Sequence, residues 1–300
     1  MKKRLLLCSF TVNLVSTQCM PMTSLRPFLS RYTPTVLYAI KKAPTALVNT
    51  ARNNKALTTA LALFSTAIAI PQARQTLSRG INLALNTGLI MAVDRGQVHI
   101  TKIFLKAGAN PNTVSRDGRV VLHMAAAHGD QGIIELLLAH GANPNLADRS
   151  GVTALRTAAE QGWQGVVELL LAHGANPNIA DNEGTTALHM ATSRVHQAVV
   201  ESLLAHGANP NLADKGGTTA LHVAAIGDHQ GVVESLLAHG ANPNIRDNGG
   251  RMPRYYAIAM GCQTVARLLV AAGAHATPQT ADHRTEKDFA PTEETRSFFH

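Results

Sequence analysis

Apolar residues along the middle of this chain fall in two alternating bursts, and the pair of bursts returns every 33 residues. The stretch from Asp148 to His173 shows the pattern. Asp148 to Gly151 carries turn formers, and Thr153 is placed to cap a helix beginning at Ala154. Ala154, Leu155, Ala158 and Ala159 recur at helical spacing and predict a small, flat apolar face. Gly162 allows the left-handed residue that ends such a helix. A second helix is predicted over Val166–His173, with Val166, Val167, Leu169, Leu170 and Leu171 largely buried. Gly174 stops it, and Pro177 cannot continue it. Helices shorter than about 12–15 residues are marginal alone in water, so each unit must bury its faces against neighbours. The clearest marker of the period is Gly-Ala-Asn-Pro-Asn, starting at Gly108, Gly141, Gly174, Gly207 and Gly240, with a degenerate copy at Gly273-Ala274-His275. A fixed period of this length predicts an all-α stack of repeats, an architecture that presents long continuous surfaces.

Charge changes the picture at one end only. Met1 to Val93 contains 11 Lys or Arg and no acidic residue, whereas Asp94 onward has 16 basic and 19 acidic residues. The basic balance therefore belongs to the N-terminal third, and the repeats are close to neutral, at about −3. That distribution argues against nucleic-acid binding by the repeats. Cys8, Cys19 and Cys262 form neither an even, spaced framework nor a Cys-x-x-Cys pair, which argues against a disulfide scaffold and against a thiolate metal or redox site.

The unit resembles the ankyrin repeat, whose pattern is a turn, Gly-x-Thr-Pro-Leu-His-x-Ala-Ala, a Gly, then Val-Val-x-Leu-Leu-Leu and Gly-Ala-Asp/Asn. Here it reads Gly184-Thr-Thr-Ala-Leu-His-Met-Ala and Gly217-Thr-Thr-Ala-Leu-His-Val-Ala-Ala. The family's Pro is replaced by Ala154, Ala187 and Ala220 and survives as Pro253. The resemblance covers about Leu83 to His275 in six phased copies and implies an ankyrin-repeat solenoid. Departures mark individual repeats. Val120 and Val121 stand for Thr-Pro in the second, and Arg156 for His in the third. Val195 takes the helix-ending Gly position in the fourth, and Asp228 takes it in the fifth with Gly227 one residue earlier. In the sixth, Arg254 replaces the buried Leu and Tyr255-Tyr256 replace His-x. The atypical first copy, Thr87-Gly-Leu-Ile, and the sixth read as caps.

Three regions follow: a basic, acid-free leader over 1–80, the repeat domain over 81–276, and a polar tail over 277–300 expected to be disordered. Lys2-Lys3-Arg4 before Leu5–Val15 has the outline of a signal peptide without a clear cleavage site. Ala56–Ile70 is an apolar run of about 15 residues, short of the ~20 needed to span a bilayer. A packed or interfacial helix, a cleaved leader and a short membrane anchor all stay open. So, with them, do secreted, host-cell, cytoplasmic and membrane-associated locations. The tail ends with acidic residues before Phe298-Phe299 and weakly resembles C-terminal signals of secreted bacterial effectors, while the similarity between copies is frequent in ankyrin proteins of host-associated bacteria.

Two ladders of chemistry-bearing residues invite a functional reading. His140, His173, His206 and His239 each precede a helix-stopping Gly. Stacked helices lie about 8–10 Å apart, too far for neighbouring imidazoles to share a zinc at about 2.1 Å each. The expectation is solvated helix ends without metal, with a weaker possibility of acid sensitivity from stacked like charges. Glu135, Glu168, Glu201 and Glu234 are equivalent by repetition, so nothing splits them into acid and base roles. By resemblance, His123, His189 and His222 hydrogen-bond within and between turns. No phosphate-binding loop, nucleophile elbow or His-Glu-x-x-His helix is present, and the expectation is a protein that is no enzyme and takes no cofactor or small-molecule substrate.

The resemblance implies a non-catalytic scaffold that holds a partner protein against its turn tips and the exposed face of each first helix. Mapped here, those positions are Arg116, Arg119 and His128; Arg149, Val152, Arg156, Glu160, Gln161 and Trp163; Asn182, Glu183, Thr185 and Arg194; Lys215, Thr218 and Ile226; and Arg251. They vary between copies while Leu-Leu-Ala-His-Gly-Ala-Asn-Pro barely does. Trp163, the chain's only Trp, and Arg149, Arg156 and Arg194 are the expected anchors, because Trp and Arg are enriched among interface hot spots. The competing expectation is a membrane-associated structural or protective protein held by its N-terminal segment.

Overall fold

The computed structural model describes residues 74–276. Twelve helices account for nearly all their regular structure. They are α1 (Arg74–Asp94), α2 (Val98–Lys106), α3 (Val121–His128), α4 (Gln131–Ala139), α5 (Ala154–Gln161), α6 (Gln164–Ala172), α7 (Ala187–Ser193), α8 (Gln197–Ala205), α9 (Ala220–Ile226), α10 (Gln230–Ala238), α11 (Pro253–Ala259) and α12 (Gln263–Ala271). The extended structure among the described residues is limited to isolated antiparallel bridges, Val114 with Val120, Ala147 with Thr153 and Ala213 with Thr219. The leader's apolar run Ala56–Ile70, Cys8, Cys19 and the tail 277–300 lie outside the described residues. Among those described, no helix is long and apolar enough to cross a membrane.

The chain groups into two compact units. One includes, among the described residues, 74–91 together with Ile103–Asn110. There Gly88 faces the Phe104 ring so closely that a β-carbon would sit 2.2 Å from Cζ, and the Asn110 amide donates to Asn86 Oδ1 at 2.8 Å. A single helix, α1, runs through the atypical Thr87-Gly88 segment, where Thr87 Oγ1 donates to the Leu83 carbonyl and no turn intervenes.

The other unit holds, among the described residues, Ala92–Lys102 and 111–276. Its helices pair as predicted: α3 with α4, α5 with α6, α7 with α8, α9 with α10, and α11 with α12. First helices pack on first helices (α3, α5, α7, α9, α11) and second helices on second helices (α4, α6, α8, α10, α12). The first helices α3, α5, α7 and α9 each contribute one Leu to a continuous core, Leu122, Leu155, Leu188 and Leu221, all at most 1% exposed. Arg254, at the same position in the last repeat, is buried as well. Second helices bury Ile133-Ile134, Val166-Val167, Val199-Val200, Val232-Val233 and Val265-Ala266 between neighbours. Leu169 is the exception to the predicted buried set; it is only half-buried, because it lies on the side of α6 turned away from the first helices.

Capping explains where each first helix begins and ends. Thr153 Oγ1 accepts from the Arg156 amide at 3.2 Å, and Thr186 and Thr219 form capping boxes with His189 and His222. Val120 provides no such cap. At the other end Gly129, Gly162 and Gly261 adopt φ of 75°, 77° and 75°. Val195 and Asp228 stand in the same left-handed conformation without being glycine, at φ 61° and 55°.

Candidate partner-binding face

The turns before α5, α7, α9 and α11 are each built by one aspartate. Asp148 Oδ1 accepts the amides of Ser150 and Val152 at 2.8 and 3.0 Å, closing a loop that Gly151 completes at positive φ. Asp181 does the same for Glu183 and Thr185, Asp214 for Gly216 and Thr218, and Asp247 for Gly249 and Arg251. Ser115 takes over in the second repeat, its Oγ accepting from the Arg119 amide at 3.1 Å. Short side chains that bond the backbone two and four residues on are what make such tight turns rigid.

Adjacent turns are then joined edge to edge. The Asn182 amide donates to Ser150 O, Lys215 to Glu183 O, and Asn248 to Gly216 O, each at 2.9 Å. Asn182 Nδ2 adds a bond to Arg149 O and Asn248 Nδ2 one to Lys215 O. The result is a continuous backbone edge from which Arg149, Asn182, Glu183 and Lys215 project into solvent. Glu183 and Lys215 approach to 3.5 Å, an exposed pair worth little. In the second repeat Arg116 is exposed, and Arg119 pairs with Asp117 at 2.5 Å. The Ser115 hydroxyl and the Arg119 guanidinium hold the Asp117 carboxyl down at about 2.

Behind the turns, an imidazole crosses most repeat junctions. His123 Nε2 reaches Val152 O at 2.6 Å, His189 Nε2 reaches Thr218 O at 3.0 Å, and His222 Nε2 reaches Arg251 O at 3.1 Å. Thus Val152, Thr218 and Arg251, mapped as contact positions, are also where one repeat latches to the next. Thr185 is half-buried, its amide spent on Asp181. The backbone amides of Thr186 and Thr219 donate to Nδ1 of His189 and His222, which leaves the ring proton on Nε2 to serve the carbonyl. Burial holds all three imidazoles below their ordinary value, against the pull of those carbonyls and nearby aspartates.

The third repeat is built differently. Arg156 replaces the His, and its guanidinium reaches Asp181 Oδ2 in the next turn at 3.0 Å and Glu160 Oε2 at 3.8 Å. Glu160 Oε1 in turn lies 3.3 Å from Arg194. Three mapped residues, Arg156, Glu160 and Arg194, are therefore one ionic chain across the third and fourth repeats. Arg156 is mostly covered, with 16% of its side chain exposed, while Arg194 is open to solvent. Gln161, His128 and Ile226 are exposed at the ends of their first helices.

Trp163 is half-open at 44% exposure, but it is not a free-standing anchor. Its indole Nε1 donates to Ala127 O, and its ring covers Gly129, where a β-carbon would come within 2.9 Å. His196 repeats the device one unit on, against Gly162 and Glu160 O. In the last repeat Arg251 lies 5.2 Å over the Tyr256 ring, and both its guanidinium, at 3.0 Å, and the Tyr256 hydroxyl, at 2.5 Å, bond Asp247. Burial alone would raise the Asp247 carboxyl; these bonds outweigh it and hold it low, while burial and the same carboxylate push the Tyr256 hydroxyl up.

The two ladders lie on the opposite face, formed by the second helices. His140, His173, His206 and His239 each donate Nδ1–H to the carbonyl four residues earlier at 2.8–2.9 Å, closing the helix end. Glu168, Glu201 and Glu234 accept from Gln164, Gln197 and Gln230 one turn back. Among the described residues no group of three or more metal-ligating side chains comes together.

One set of residues carries more of the assembly than its sequence pattern announced. The second Asn of each Gly-Ala-Asn-Pro-Asn spans a junction twice. Asn178 Oδ1 accepts from the Asn209 amide at 2.7 Å while its Nδ2 donates to Gly207 O at 3.0 Å. Asn112, Asn145, Asn211 and Asn244 do likewise. The signal was there in the unchanging Asn, but its partners lie 29 and 31 residues away and only stacking identifies them.

A family profile described as "Ankyrin repeats (3 copies)" matches residues 30–148, 122–214 and 196–280. No curated protein sequence matches the chain. Among solved structures, 562 chains match, so the likeness by itself selects no single function. One is the crystal structure of the ankyrin repeat domain of Bcl-3, described as a unique member of the IkappaB protein family. It is 26% identical, with a TM-score of 0.65, over 71% of this chain and 97% of that one. Ankyrin repeats are in general non-enzymatic modules for binding other proteins, and no catalytic family is indicated. With its profile matches reaching from residue 30 to 280 and the helix pairs, turns and junctions stacked as described, the chain belongs to the ankyrin-repeat family.

Proposed function

We propose that this protein binds a partner protein without catalysis, through the turn tips and the exposed ends of the first helices between the second and sixth repeats. The observation that carries the reading is the bonded edge of adjacent turns. Asn182, Lys215 and Asn248 amides tie the fourth, fifth and sixth tips each to the one before, so side chains that differ between the third and sixth repeats are held at fixed positions along one rigid line. Rigid presentation reduces the ordering cost of association, which is what converts modest contacts into useful affinity. The second-helix face has the opposite character: its exposed Gln and Glu residues repeat with little change and are spent on one another.

Site-specific photo-crosslinking in the native cell tests this, with the probe at Arg149 or Gln161 on the front and at Ala205 on the back. One discrete adduct from both front positions and none from the back is the expected result. Adducts from the back alone would overturn the assignment of the face. Arg149→Glu and Lys215→Glu should then weaken capture while leaving the array folded, since both side chains are exposed. Under the same reading, residues 277–300 direct delivery into a host cell; a deletion that leaves delivery unchanged rules that out.

A further inference from the structure

Behind the turns, three junctions are bonded through a titrating ring and one through a guanidinium; at that one an imidazole is also present at the helix ends, where His196 Nε2 donates to Glu160 O at 3.2 Å. His123, His189 and His222 join the second repeat to the third, the fourth to the fifth and the fifth to the sixth through neutral imidazoles. The third-to-fourth junction uses the Arg156 guanidinium on Asp181, and a guanidinium does not lose its charge at any working pH. We propose that acidification loosens the three imidazole junctions and leaves the third-to-fourth junction docked, so that the turn edge keeps its order at repeats three and four while its flanks open. The inference goes beyond partner binding and does not depend on it.

The geometry supplies the mechanism. Nδ1 of His189 and His222 accepts from the backbone amide of Thr186 or Thr219, so a proton arriving there can turn to the Thr hydroxyl 2.8–2.9 Å away but takes from the amide its acceptor. Nδ1 of His123 is buried without a hydrogen-bond partner, because Val120 stands where the other repeats have Thr. A proton therefore leaves one buried donor unsatisfied at each junction, the ring's own N–H at His123 and the displaced backbone amide at His189 and His222. Asp148 faces His123, Asp214 and Asp181 face His189, and Asp247, Asp214 and Arg251 face His222, whose ring also meets Tyr256 edge-on at 6.0 Å. The aspartates favour the charged ring, but burial outweighs them at each site. With the folded value depressed, the unfolded junction takes up the proton first. Junction stability is therefore complete above the unfolded value of about 6.5 and declines as pH falls below it, by up to about tenfold per pH unit for each His.

Three backbone amides report on individual junctions: Asn182 for the third-to-fourth, Lys215 for the fourth-to-fifth and Asn248 for the fifth-to-sixth. In the full-length protein labelled with ¹⁵N, their exchange with solvent would be followed at about pH 7.5 and pH 5, each corrected for intrinsic rate. We expect protection at Lys215 and Asn248 to fall at least about tenfold more than at Asn182. An equal fall at all three, or none at any, overturns the proposal. Arg156→His should bring Asn182 into line with the others. His189→Gln, which keeps a donor for Thr218 O but cannot titrate, should make Lys215 acid-resistant. If Lys215 still loses protection in that variant, the imidazole is not the cause.

Discussion

Val195 is a β-branched residue at φ 61°, in the place where other repeats carry glycine at 75–77°. Left-handed backbone costs an ordinary L-residue about 1–2 kcal/mol, and branching at Cβ puts Val toward the upper end. Replacing it with Gly releases that strain. Against the gain stand two losses. Glycine's extra freedom in the unfolded chain costs about 0.4–1 kcal/mol. The side chain is also partly buried; with the residue 51% exposed, we assign that burial about 0.5 kcal/mol. The sum predicts that Val195→Gly stabilises the protein by about 0.5–1 kcal/mol, or roughly 2 °C in Tm for a folded region of this size. Without the strain, the same substitution would destabilise by about 1.2 kcal/mol, so the sign is decisive. Urea unfolding followed by the fluorescence of Trp163, the chain's only Trp, reads the nearby junction, and circular dichroism checks that the transition is shared. A loss of about 1 kcal/mol or more would refute the reasoning. Asp228→Gly should gain less, because Asp tolerates the left-handed region and this one also bonds Cys262.

Asn178→Ala removes both arms of one inter-repeat clamp; since the bonds are solvent-accessible, we expect a loss near the low end of 1–3 kcal/mol, measured as a shift in urea midpoint. Thr192 is fully buried with a hydroxyl that has no partner, where other repeats place Ala126, Ala159, Ala225 and Ile258. Thr192→Val should therefore stabilise by about 1 kcal/mol, and a destabilised variant would show that the hydroxyl is bonded after all. Burial, followed by the Asp228 carboxylate, pushes the Cys262 thiol up to about 11. Alkylation of its peptide at about pH 8 should be slow in the native protein and rise sharply when urea opens the last repeat.

The period, the two helices per unit, their ends and their buried faces were legible in the sequence because each depends on residues within a few positions of one another. Thr153 as a cap, Gly162 as a stop, and the Val195 and Asp228 departures all followed from that local chemistry, and the structure places them so. The aspartate-built turn was visible only as a run of turn formers. Contacts between repeats were another matter. That Arg156 finds Asp181, that Trp163 lies on Gly129, and that each second Asn grips the following unit involve partners 25 to 36 residues away. Several positions mapped as partner contacts thereby acquired internal duties: Arg156 and Glu160 in an ionic chain, Trp163 as a cover over its neighbour, Asn182 as a link between turns. A repeat's own helices depend on spacing along one segment, which the chain carries in itself. Which atoms meet across a junction depends on the offset and rotation between two stacked units, and those are set only when the whole buried surface packs at once.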